Sequence, residues 1–359
     1  MKKINIAILS LNHGHAKGYY TFLQNCPFFN LVAVSVSEAA KGRIVMPMIL
    51  KDVPKYDTDE ALLEAHPEVE AVILASPNQR HLEQFQLCAQ QGKHIMSMKI
   101  PTFQMDEYAQ MIALVEKYNI VCQVEQELHY HATVRHLKEL LDRGTIGKLL
   151  SIQAINYSHC PSWWLAWQAD PDLSYGKRIR LREGAERFRG GALCDHPHIF
   201  DIVRYLTGSE FVSIYAELAP NLRSELEVED MLSAVAKLED GTIVSLDPSF
   251  ARNENKMPLI GPGWEKDPKR VEVNLVICGE KGTLLADCFH HNIYHTGNPN
   301  HRFTVRYGNI REYWNMLYEF YDCIQKKKMP SINLYSHRKT IEAMNACYES
   351  IAKGAPVKL

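Results

Sequence analysis

No stretch of this sequence approaches the roughly 18 consecutive apolar residues needed to span a bilayer, and none of its nine cysteines pair in a C-x-x-C spacing. The cysteines, at 26, 88, 122, 160, 194, 278, 288, 323 and 347, are odd in number and scattered. They fit neither a disulfide framework nor a structural zinc knuckle, so a reducing compartment is expected. The apolar run at residues 4–9 is short, Asn5 interrupts it, and Asn12-His13-Gly14-His15 follows instead of small residues. That argues for a buried strand and against a signal peptide. Excess charge of either sign is also missing. Forty Lys and Arg against 42 Asp and Glu leave a formal charge of -2, which provides no overall field for a polyanion or an acidic membrane surface. Internal repeats and low-complexity tracts are absent as well. A soluble, cytoplasmic protein with no nucleic-acid or membrane partner is the expectation.

What is present is ordinary globular composition over 359 residues, 46% hydrophobic and 23% charged, long enough for about two domains with separate cores. Short β-branched runs at residues 4–9, 31–36, 69–74, 94–96 and 120–124 alternate with stretches at 15–26, 58–65, 81–91 and 106–118 whose apolar residues recur every three or four positions. The alternation predicts parallel βαβ units and a Rossmann-type, doubly wound sheet over residues 1–125. After a predicted helix at 133–143, closed by Gly144, the pattern changes to longer alternating runs at 149–157, 211–218, 230–238, 242–250, 271–278 and 283–287. These predict a second, α+β domain over residues 126–359, built on a large open antiparallel sheet. Its final helix, 339–353, is free to pack back on the first domain.

The turn after the first strand reads Ser10-Leu11-Asn12-His13-Gly14-His15. Set on G-x-G-x-x-G, it puts Ser10, Asn12 and His15 where glycines bring backbone N–H groups against a pyrophosphate at a helix N-terminus. Only Gly14, between them, is a glycine. Ser and Asn cap helices and Asn tolerates positive φ, so the turn can form, while His15 is expected to hinder close packing of helix on strand. The second strand ends Val34-Ser35-Val36-Ser37 without an acidic ribose clamp, and Lys41 and Arg43 follow. That combination suits the 2'-phosphate of NADP better than the 2'-hydroxyl of NAD.

Further along, Ala75-Ser76-Pro77-Asn78-Gln79-Arg80-His81 closes the third long strand, and Gly92-Lys93-His94-Ile95-Met96-Ser97-Met98-Lys99-Ile100-Pro101 comes next. With Leu140-Leu141-Asp142-Arg143-Gly144-Thr145-Ile146-Gly147-Lys148, Gly190-Gly191-Ala192-Leu193-Cys194-Asp195, Cys278-Gly279-Glu280-Lys281-Gly282-Thr283-Leu284 and the closing Ser350-Ile351-Ala352-Lys353-Gly354-Ala355-Pro356-Val357, they form an ordered set spanning nearly the whole chain. The set resembles the Gfo/Idh/MocA family of NAD(P)-dependent sugar and polyol dehydrogenases. The resemblance implies a dinucleotide, NAD or NADP, held by Ser10, Asn12, His13, Gly14, His15, Ser76, Pro77, Asn78, His81 and Lys99, and a sugar-like substrate. The departures are local. Met98 stands where the family has Glu, a residue is inserted before Pro101, His129 replaces an Arg, and Asp195-His196-Pro197-His198 is one residue shorter than Asp-x-x-x-His.

By the resemblance, Lys99 touches the substrate hydroxyl and the nicotinamide ribose, His198 is the catalytic base, and Asp195 orients it, with His196 as a second occupant of the slot. Asp195 and His198 lie three apart, so on one helix they would share a face. A carboxylate beside an imidazole orients and charges it for general-base work. His129, His131, His159, Asp195, His196 and His198 are also a possible set of ligands for a divalent metal, which would suit a redox-independent lyase, hydrolase or isomerase acting on a sugar derivative. A catalytically silent sugar-binding protein of the same fold is the third reading. Trp163, Trp164 and Trp167 suit either a sugar ring or core packing. Residues 177–189 carry Lys177, Arg178, Arg180, Arg182, Arg187 and Arg189, fitting either an anionic substrate group or a solvated surface. An open antiparallel sheet commonly packs against a partner's, so a homo-oligomer is expected.

Overall fold

The computed structural model of the chain describes residues 2–11, 13, 15–36, 53–158, 190–222, 226–250, 271–288, 291–297, 301–304 and 311–359. Asn12, Gly14, Lys41, Arg43, His159, Trp163, Trp164, Trp167 and the basic run at 177–189 lie outside them. Two compact units divide between Glu125 and Gln126; residues 313–338 belong with the first unit and residues 339–359 with the second.

The first unit holds β1 (Ile4–Leu9), α1 (Ala16–Gln24), β2 (Phe29–Ser35), β3 (Lys55–Tyr56), α2 (Asp59–Ala65), β4 (Ala71–Leu74), α3 (His81–Gln90), β5 (His94–Ser97), α4 (Met105–Tyr118) and β6 (Cys122–Val124). The strands are all parallel, in the order β3-β2-β1-β4-β5-β6, so the sheet is wound in both directions from β1 and β4. Ile6, Ala7, Ile8 and Leu9 of β1 and all four residues of β4 are fully buried. A continuous apolar strand is what a parallel sheet covered on both faces requires. Sequence periodicity left 311–326 unassigned, yet it forms α8 (Arg311–Lys326). Trp314 and Tyr321 of α8 pack on Phe28, and Phe320 stacks on Phe29 with ring centroids 5.9 Å apart.

The second unit holds α5 (Ala132–Asp142), β7 (Leu149–Ser158), α6 (Ala192–Asp195), α7 (His198–Thr207), β8 (Phe211–Leu218), β9 (Leu232–Leu238), β10 (Ile243–Ser249), β11 (Val271–Gly279), β12 (Gly282–Asp287), β13 (Asn292–Gly297), β14 (His301–Thr304), most of α9 (Leu334–Lys353) and β15 (Val357–Lys358). Among the described residues the strands form one sheet in the order β14-β13-β12-β11-β7-β10-β9-β8-β15. The expected antiparallel sheet is in fact mixed. β10 runs parallel to β7, from Ile243 beside Ser151 to Ser249 beside Tyr157, because the chain crosses over between them instead of turning back in a hairpin. Burial alternates along β9 residue by residue, which leaves one face in the core and one outside. The last helix begins at Leu334, ahead of the expected 339. Asn333 Oδ1 accepts from the N–H groups of Tyr335 and Ser336, 2.9 and 3.0 Å away, and so caps it.

Candidate active site

In a doubly wound sheet, ligands sit at the carboxyl ends of the strands beside the point where the winding reverses. At the end of β1, Ser10 takes a left-handed φ of 57°, a conformation ordinarily left to glycine. Side chains hold it there. Its N–H donates to Ser35 Oγ at 2.7 Å, and its own Oγ accepts from Arg80 Nη1 and Gln84 Nε2, both at 3.4 Å. Gln84 Nε2 also donates to buried Asp59 at 2.7 Å, and Ser76 Oγ donates to Gln84 Oε1 at 2.6 Å. A serine hydroxyl thus supplies the fixing contacts that a glycine in this turn would lack. The N–H of His13 donates to the Ala75 carbonyl at 2.9 Å, seating the turn on the end of β4.

The packing conflict expected at His15 does not arise. Its ring is turned toward β6, with Nδ1 2.8 Å from Glu125 Oε1, and Ala16, Tyr19 and Tyr20 behind it are buried. Tyr19 OH donates to the same carboxylate oxygen at 3.0 Å. Burial of Glu125 pushes its carboxyl upward, but His15, Lys99 and the bonds from His15 and Tyr19 outweigh that and hold it below the usual carboxylate range. Glu125 is therefore ionised, and its Oε2 has no hydrogen-bond partner.

Lys99 is buried just past the end of β5. The loop after it is braced by His81, whose Nδ1 lies 2.9 Å from the Pro101 carbonyl and Nε2 3.1 Å from the Ser76 carbonyl. Burial pushes the His81 imidazole down to about 4, so it is neutral near pH 7. Both ring nitrogens of His81 meet backbone, while Asn78 Oδ1 next to it is buried without a partner. Two idle buried acceptors, Asn78 Oδ1 and Glu125 Oε2, with Lys99 near the second, suit a ligand that brings hydroxyl and amide donors to this edge. The nicotinamide half of a dinucleotide has both.

In the second unit, the helix expected to carry both Asp195 and His198 is two helices. α6 ends at Asp195, His196 and Pro197 intervene, and His198 opens α7, so Asp195 and His198 do not share a helical face. Proline at 197 has no N–H to continue α6, and its fixed φ suits the start of α7. His198 is held from another quarter. Its Nδ1 lies 3.2 Å from Gln126 Oε1 and its Nε2 3.5 Å from Glu127 Oε1. Asp195 instead has its carboxylate 3.9 Å from His196 Nδ1, and His196 Nε2 meets Ser158 Oγ at 3.0 Å.

The candidate metal ligands take separate partners. His129 pairs with Asp201 and lies against Tyr205. His131 stacks on His291, with centroids 4.9 Å apart, and burial pushes it down to about 4. His159 is outside the described residues.

Family profiles match both parts of the chain. One, described as an oxidoreductase family with an NAD-binding Rossmann fold, matches residues 4–126, and the other, the C-terminal domain of the same family, matches residues 134–285. The chain belongs to the Gfo/Idh/MocA family. It is 26% identical over 257 residues to the 2,7-anhydro-N-acetylneuraminate hydratase of Mediterraneibacter gnavus, which covers 71% of this chain but only 63% of that relative. To the scyllo-inositol 2-dehydrogenase (NAD(+)) of Bacillus subtilis it is 22% identical over 372 residues, covering 99% and 96%. Its fold is that of the aldose-aldose oxidoreductase from Caulobacter crescentus, with a TM-score of 0.79 and 19% identity over the full length of both chains.

Sequence reasoning passed over three side chains of this Gfo/Idh/MocA member that contact the predicted residues, Glu125 at His15 and Gln126 and Glu127 at His198. Their signal was a run of polar residues directly after a buried strand. A fourth is Glu229, fully buried, whose Oε1 accepts from the N–H groups of Gly191 and Leu193 (3.0 and 3.2 Å) and from Tyr348 OH (2.8 Å). These bonds fix the start of α6, and so the segment leading to His198. Burial pushes the Glu229 carboxyl up to about 7 against the pull of those bonds. Because the folded value lies above the unfolded one, its contribution to stability is complete below about pH 4.5 and is lost as pH rises through about 7. Urea unfolding from pH 5 to 8.5 is expected to show a loss of up to about 3 kcal/mol from this group, and Glu229→Gln is expected to flatten that slope.

Proposed function

We propose that the protein is an NAD(P)-dependent oxidoreductase that interconverts a hydroxyl and a ketone on a sugar or polyol. Residues 1–125 bind the dinucleotide, and residues 126–359 bind the substrate and join subunits. The observation that carries this reading is buried Lys99 at the carboxyl edge of a sheet wound as dinucleotide-binding sheets are, beside acceptors that await donors.

The nicotinamide ring, when bound, supplies the hydride acceptor. Everything else falls to side chains. His198 takes the hydroxyl proton on Nε2, and the carboxylate of Glu127, 3.5 Å from that nitrogen, stabilises the imidazolium that results. Gln126 Oε1, 3.2 Å from Nδ1, accepts its proton and so leaves Nε2 as the basic nitrogen. Lys99 stabilises negative charge developing on the substrate oxygen. In the reductive direction His198 returns the proton.

The decisive test is a thermal-shift panel on metal-stripped protein with NAD, NADP, NADH, NADPH, zinc and manganese, because ligands that bind only the native state raise its melting temperature. A rise with a dinucleotide and none with metal is expected. A rise with metal alone overturns the reading. The hydratase relative favours one alternative, water addition or elimination on a sugar derivative, and monitoring unsaturated sugar products in the same preparations tests it.

Subunits meet through the second unit's sheet. Tyr215 and Val235, register partners on β8 and β9, stand exposed, as do Leu285 and Tyr294 on β12 and β13. Light scattering is expected to give a mass above the 41.1 kDa of one chain, and Val235→Lys with Leu285→Lys to lower it. No described helix is long and apolar enough to cross a membrane; a cytoplasmic location completes the proposal.

A further inference from the structure

We propose that Glu125 is a cofactor-binding residue whose idle oxygen accepts hydrogen bonds from the hydroxyls of the nicotinamide ribose. The inference rests on the dinucleotide reading above and deepens it by naming the group that one of those acceptors takes. The N–H of Glu125 donates to the Ser97 carbonyl at 2.9 Å, so the carboxylate stands where β6 and β5 end together. The strand order places β5 and β6 on the far side of β1 and β4 from β2 and β3. A dinucleotide laid across the reversal puts its adenosine over one half of the sheet and its nicotinamide nucleoside over the other, and Glu125 is in the second half.

The chemistry narrows the ligand. Oε1 is satisfied by His15 and Tyr19, Oε2 is buried and unpartnered, and His15 and Lys99 keep the group ionised. A carboxylate oxygen can only accept, so a neutral group that completes it must donate. A ribose offers two adjacent hydroxyls, whereas the bridging pyrophosphate of a dinucleotide or a carboxylate has no proton to give near pH 7. Leaving a buried ionised oxygen unsatisfied is costly, and the bond that satisfies it is charge-assisted and strong. Met98, fully buried, cannot provide this acceptor, although its position is the one where the family resemblance expects a Glu.

Binding of ADP, ADP-ribose and NADH to the wild type and to Glu125→Gln, measured by calorimetry, tests this. ADP lacks the second ribose, and ADP-ribose has it without the nicotinamide. Loss of one charged hydrogen bond predicts roughly tenfold to hundredfold weaker binding of ADP-ribose and NADH, with ADP within about twofold of wild type. Unchanged NADH binding overturns the proposal. So does an equal loss of ADP binding, which would mean that the substitution acts through His15 and the turn. If the wild type binds none of the three, the dinucleotide reading itself falls, a result distinct from the other two. Retained ADP binding certifies the fold of the variant. Should Glu125→Gln fail to fold, Glu125→Asp keeps the charge but withdraws it from the ribose, and the same contrast between ADP and ADP-ribose is expected.

Discussion

His198→Ala is expected to lower kcat on any sugar or polyol that the protein turns over by about 100- to 10,000-fold, the usual contribution of a positioned general base. KM should change little, because the imidazole acts on a proton that moves only in the transition state. The variant should fold. The ring's contacts to Gln126 and Glu127 are lost, but α7 keeps Pro197 at its start and Gly208 at its end. Glu127→Gln should act more mildly and through the same group, shifting the acid limb of the kcat profile downward in pH as the imidazolium loses its counter-charge. The double variant Lys99→Met with His198→Ala gives a stricter check. If both side chains act on one substrate oxygen, their effects are not additive, and the double variant loses less than the product of the single losses. Multiplicative losses would mean that the two side chains act independently.

Gly191→Ala is expected to cost about 3 kcal/mol or more, enough to unfold a marginal protein. A Cβ at this position would lie 1.8 Å from the carbonyl oxygen of Glu229, and backbone cannot step aside as a flexible side chain can. That oxygen also accepts from the N–H of Ala192 at 2.9 Å, so moving it sacrifices a second bond. Gly144→Ala provides the comparison. Nothing lies within 4 Å of its added Cβ, and its cost is limited to the strain of a φ of 67°, about 1 kcal/mol. Guanidinium unfolding of the two variants should separate them by at least 2 kcal/mol on these magnitudes. Similar values would show that the Gly191 loop yields.

Five of the six strands of the parallel sheet were legible, the central ones because a strand buried on both faces is apolar at every position, as in Ala71-Val72-Ile73-Leu74, while the two-residue edge strand Lys55–Tyr56 left no such run. Lys99 was legible because it follows such a strand. The partners of His198 were not. They come from the segment after β6, and sequence spacing measures proximity only along one helix, the arrangement that Pro197 interrupts. α8 was missed for a related reason. Residues 313–321, Tyr-Trp-Asn-Met-Leu-Tyr-Glu-Phe-Tyr, hold five aromatics whose partner face, Phe28 and Phe29, lies at the other end of the sequence. The parallel pairing of β7 with β10 left no local trace, because alternation of apolar and polar residues marks a half-buried strand and is silent on its direction.

The placement of α8 also sets the order of biosynthesis. The ribosome delivers β1 to β6 early, but Phe29, buried in the finished protein, waits for Phe320 and Tyr321, which emerge only after β7 to β14 have been made. Until then a nascent chain carries an uncovered aromatic patch, which makes it a client for chaperones. An expression clone stopped at residue 125 would hold that patch open permanently, and inclusion bodies are its natural fate.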